Sequence, residues 1–142
     1  MVLVAAASVL IVAGLVLWHT VAHDGARVVD DPSTADGWQT IEYDGVRVDL
    51  PADWVRSDRD GCEFVFERWA EPEGAGCDTD GDGLSFYVSA TFDPAHGPGV
   101  RRGDPSVDGA AWAGYAEAGG YAVYVSGSDR ELVATVLASV RD

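Results

Sequence analysis

Three carboxylates at alternating positions, Asp78, Asp80 and Asp82, lie in the glycine-containing run Asp78-Thr79-Asp80-Gly81-Asp82-Gly83. That spacing in a tight turn can wrap hard oxygen ligands around calcium. An EF-hand loop also needs a bidentate Glu at its twelfth position. Here that position is Ser89, and the residues after Asp82 alternate like a strand. Calcium is therefore the one cofactor the sequence allows, at low affinity and with Glu71, Glu73 or Asp93 as substitute ligands. The competing reading is a solvated acidic turn ahead of a strand.

Two cysteines, Cys62 and Cys77, are too few for a structural zinc site and are spaced for one bridge. Closing a loop of about 15 residues contributes roughly 3 kcal/mol in the chain-entropy model, and such a bridge belongs to an oxidising compartment. His19 and His23 flank an apolar run, and His96 stands in Asp93-Pro94-Ala95-His96 without a G-x-S-x-G nucleophile motif. General-base chemistry at His96 is thus a minor reading beside an ordinary surface loop. Carboxylates alone remain for catalysis, and a close pair of them could hydrolyse glycosides without any sequence motif. Trp38, Trp54, Trp69, Trp112, Tyr87 and Tyr124 supply either core or a sugar-stacking face, with Tyr87 and Tyr124 expected to point away from the apolar side of their strands.

Charge narrows the partners. The 142-residue chain carries a formal net charge of -15 and no lysine. From Trp38 onward, 20 Asp and Glu face 8 Arg. Nucleic-acid binding needs clustered cations, so that class is set aside. Arginine without lysine, with abundant Ala, Gly, Val and Asp, points to a GC-rich bacterial source.

The elements that must position these groups begin with Val2–Trp18, an uncharged apolar run. With the residues to Ala22 it reaches the length that spans a bilayer, and it lacks the polar stripe of a buried surface helix. Residues 1–22 are thus expected to be a single-pass transmembrane anchor, with a cleaved signal segment as the alternative given Thr20-Val21-Ala22. Residues 23–37 read as a linker, and residues 38–142 as one extracytoplasmic domain.

Within that domain, Thr40–Leu50 alternates about Asp44-Gly45, a hairpin whose turn tolerates positive φ. Glu63–Trp69 and Leu84–Phe92 read as strands, Phe92–Gly109 as a long loop, and Ala110–Glu117 with Tyr121–Ser126 as a second hairpin. Ser128 and Glu131 have capping-box spacing ahead of an apolar helix face of Leu132, Val133, Val136, Leu137 and Val140. The expected fold is α+β: an N-terminal transmembrane helix, then an antiparallel sheet of about six strands with a C-terminal helix.

The run VRVDLPADW followed by a cysteine, a sheet-forming middle and the closing ELVATVLASVR helix resemble small exported actinobacterial domains of the PsbP-like type. The resemblance covers roughly the last two thirds of the chain. It implies a membrane-linked accessory or binding subunit rather than an enzyme. Residues and resemblance together lead to the expectation of a membrane-anchored, non-catalytic binding domain outside the cytoplasm. Its partner would be an envelope protein or cell-wall ligand, and the alternatives are a carboxylate-dependent glycoside hydrolase or a calcium-binding envelope domain.

Overall fold

The computed structural model describes residues 25–59, 62–74, 76, 81–89, 98–104 and 109–142. Strands β1 (Arg27–Val29), β2 (Trp38–Tyr43) and β3 (Val46–Pro51) form one antiparallel sheet in that order. The β2–β3 turn is the expected Asp44-Gly45, with φ of 48° and 86°. Positive φ at both central residues matches the twist of the flanking strands. The register pairs Ile41 with Val48 and Tyr43 with Val46, so the alternating apolar residues share one face.

A second antiparallel sheet has six strands in the order β4-β5-β6-β9-β8-β7. They are β4 (Val55–Arg56), β5 (Glu67–Ala70), β6 (Gly83–Val88), β7 (Gly99–Arg102), β8 (Trp112–Ala118) and β9 (Tyr121–Gly127). A short 3₁₀ turn at Pro72–Gly74 follows β5. The β8–β9 turn uses Gly119 and Gly120 at φ of 56° and 84°. Helix α1 (Arg130–Ala138) packs on β9, β8 and β7 and reaches β3.

The apolar faces of the two sheets meet in one core of Ile41, Tyr43, Val46, Val48, Leu50, Leu84, Phe86, Val123 and Val125, closed by Val133, Val136 and Leu137 of α1. Tyr121 joins the sheets. Its ring lies 5.4 Å from Tyr43 and 5.9 Å from Phe86, and its hydroxyl donates to Asp44 Oδ2 at 2.9 Å. Burial and that bond push the Tyr121 hydroxyl up to about 12. The C-terminus is fastened by Arg141, whose guanidinium bonds Asp49 and Asp31.

Two expectations are corrected. The domain is mostly β, with two stacked sheets of three and six strands and one nine-residue helix, not an α+β fold built on one sheet. Alternation assigns each strand a buried face but does not say which sheet it joins. Two one-sided apolar sheets bury both faces by stacking on each other, so little helix is needed as cover. The first strand, β1, falls inside the span read as linker. The transmembrane helix is the second correction: no helix among the described residues is long and apolar enough to cross a membrane, and residues 1–24 lie outside them. The expected Cys62–Cys77 pairing falls partly outside the described residues. No Cys62–Cys77 bridge is among the described contacts, because Cys77 lies outside the described residues; Cys62 is disulfide-bonded, and no free thiol is present among the described residues.

The helix cap also differs from expectation by one residue. Asp129 is the N-cap and accepts from the Glu131 amide at 2.8 Å, while Ser128 turns to Asp82.

Candidate functional site

Strand β4 forms one edge of the six-stranded sheet, pairing Val55 with Ala70 and Arg56 with Trp69. Ser57 continues the ladder by donating its amide to the Arg68 carbonyl at 2.9 Å. Beyond it, Ser57-Asp58-Arg59 leaves the sheet, and the chain returns through Cys62 to Phe66 into β5.

Glu67 anchors this corner. It sits opposite Phe86, on the core-facing side of β5, and its side chain is fully buried. A carboxylate there requires a partner, because an ionised group without one is costly in an apolar interior. Arg56 supplies it with two bonds, Nε to Oε1 at 2.6 Å and Nη2 to Oε2 at 2.9 Å, and Trp69 Nε1 adds a third at 3.1 Å. The pair holds Arg56 more firmly protonated than a free arginine. It also fixes the Arg56 side chain as one wall of a cavity.

That cavity has a volume of about 570 Å³ and is lined by Arg56, Ser57, Asp58, Arg59 and Val65. Arg59 is half-buried, and its guanidinium has no ion pair or hydrogen bond among the described residues. Asp58 is partnered. Ser57 is 5% exposed, and its Oγ has no hydrogen-bond partner among the described residues. A cation with no ion pair among the described residues stands out on a surface with so large an excess of carboxylates.

Exposed apolar residues flank the lining residues in sequence. Phe64 is 73% exposed and holds φ of 65°, a conformation that a bulky residue adopts only when its surroundings impose it. Phe66 is partly exposed and meets Tyr121 edge-on at 6.0 Å, and Val55 is exposed on β4. An exposed aromatic in a strained backbone, one residue from the lining Val65, is an arrangement that recognition surfaces use. The sequence reading missed this site: Ser57-Asp58-Arg59-Asp60 reads as a polar surface run and Glu63–Trp69 as a strand. The one available signal was two arginines and two phenylalanines flanking Cys62.

The residues singled out from sequence are placed as follows. Asp82 is buried, and both its oxygens face Ser128: Oδ1 accepts from the amide at 2.6 Å and Oδ2 from Oγ at 3.2 Å. It fastens the start of α1 to β6. Asp78, Asp80 and Cys77, like His19, His23 and His96, lie outside the described residues. Among the described residues, no group of three or more His, Cys, Asp or Glu is placed to hold a metal ion. Glu71 is held above the usual carboxylate range, first by desolvation and then by Asp82, Asp53 and Glu73.

Tyr87 and Tyr124 do point away from the main core, with ring centroids 6.3 Å apart. Tyr124 is nevertheless buried in a second cluster with Tyr115, Ala113 and Ala122. Trp54 and Trp69 are core, and Trp112 lies under Arg102 and Arg130 at 5.1 and 5.7 Å. The six aromatics therefore form no open stacking face, and among the described residues Phe64 and Phe66 are the large aromatics that are exposed. In comparisons with known proteins, no family model matches this chain, and no curated protein or solved structure does.

Proposed function

We propose that this chain is a non-catalytic binding or accessory domain acting outside the cytoplasm. It meets an envelope protein or a cell-wall ligand through the corner formed by Val55, the Arg56–Arg59 cavity and Phe64. The observation that carries the reading is Arg59, which has no ion pair or hydrogen bond among the described residues, together with an exposed, conformationally strained Phe64 in the same β4–β5 connection. A strained exposed aromatic has no folding rationale, whereas a ligand that covers it gives it one. The apolar run from Val2 and the absence of a free thiol at Cys62 favour an extracytoplasmic setting. The likeness of VRVDLPADW and ELVATVLASVR to PsbP-like domains agrees with an accessory role. The acidic surface argues against nucleic acid as a partner.

Co-sedimentation of the full-length protein with isolated cell envelopes tests the reading. The protein should bind, and Arg59→Gln or Phe64→Ser should each reduce the bound fraction severalfold. Equal binding by all three proteins would remove this corner from recognition.

Glycoside hydrolysis is the second reading, favoured by the raised proton affinity of Glu71, which suits a general acid. Turnover of envelope glycans that Glu71→Gln abolishes would establish it in place of the binding role.

A further inference from the structure

Resting on that reading, we infer that the Arg59 cavity takes a carboxylate borne beside an apolar group, as at a peptide C-terminus carrying an aliphatic side chain. Arg56 spends Nε and Nη2 on Glu67, so the cation left for a ligand is Arg59. A guanidinium binds an oxyanion through directed N–H donors, and Arg59 lines the cavity. The whole-chain charge of -15 selects among anions. Long-range repulsion grows with ligand charge, so a monoanionic carboxylate is tolerated better than a phosphate dianion. The lining contribution of Val65, with the exposed Phe64 preceding it in the chain, asks for apolar surface on the ligand near the charge. A bare anion leaves that surface uncovered, and a neutral apolar group leaves Arg59 unpaired.

The test is an NMR titration of the full-length protein, following the Arg59 side-chain Nε–H resonance at constant ionic strength. N-acetyl-leucine should give a saturable shift. Acetate should bind more weakly by severalfold, and N-acetyl-leucinamide and chloride should give no saturation. Arg59→Gln, followed through the Ser57 and Val65 amides, should weaken N-acetyl-leucine about tenfold or more, the loss expected for one charge-assisted contact. Absence of saturation with N-acetyl-leucine, an equal response to the amide, or tighter binding of inorganic phosphate would each overturn the assignment. Envelope binding that depends on Phe64 and Arg59 while N-acetyl-leucine fails would discard the ligand class and leave the binding role standing.

Discussion

Arg56 grips both oxygens of Glu67, the one fully buried acid among the described residues, while its own side chain remains 42% exposed. The bond therefore joins the protein's interior to the wall of the cavity. Removing Arg56 strands a buried carboxylate, and losses of this kind cost about 3 kcal/mol or more. Arg56→Ala should lower the unfolding free energy by that order. Denaturant unfolding at neutral pH checks it; an unchanged unfolding free energy would show that Glu67 does not require a charged partner.

Gly25 lies flush against the same guanidinium, since a Cβ there would fall 1.4 Å from Arg56 Nη2. Gly25→Ala is expected to displace the Nη2–Oε2 bond and destabilise the domain, by less than Arg56→Ala. In the Arg56→Ala background the same substitution should have almost no further effect, and a double-mutant cycle measures this.

Phe64 places stability and function in opposition. Its φ of 65° is accessible to glycine without penalty but costs a bulky residue roughly 1 kcal/mol or more. Phe64→Gly should therefore leave stability unchanged or raise it by up to about 1 kcal/mol, while binding to envelopes falls. A marked loss of stability would instead make Phe64 a packing residue.

Two surface acids should respond to pH in opposite directions. Glu42 is held below its ordinary value of 4.5 by hydrogen bonds from Arg47 and Arg27, so its contribution is complete above pH 4.5 and is lost as pH falls through the lower folded value. Glu71 is raised, first by desolvation and then by neighbouring acids, so its charged form opposes folding at neutral pH, and that opposition is relieved as pH falls toward 4.5 and below. Glu42→Gln should thus lower Tm at pH 7, and Glu71→Gln should raise it. Both differences should vanish in strong acid, and thermal melts across pH 2–8 test the pair.

The parts of the fold legible from sequence are those set by local chemistry. Asp44-Gly45 and Gly119-Gly120 fix the two hairpins, and the alternation of Leu84, Phe86 and Val88 locates β6. The apolar face at Val133, Val136 and Leu137 locates the helix. Long-range relations were not legible. Nothing near Ile41 or Val48 indicates that their hairpin would stack on Phe86 rather than extend its sheet. Glu67 looks like an exposed strand acid until Arg56, eleven residues earlier, is seen to hold it. The candidate site escaped for the same reason: Ser57, Arg59 and Phe64 become a surface only when the β4–β5 connection folds back, and left-handed backbone at phenylalanine follows from no local propensity.

The central claim is that the corner at Phe64 is the recognition surface. The most direct test is site-specific photo-crosslinking in intact cells, with a photoreactive residue at position 64 or at Ala138, an exposed position on α1. Position 64 should capture one discrete species, which Arg59→Gln should deplete severalfold, and position 138 should not capture it. Capture from position 138 alone, or equal capture from both positions, would contradict the claim.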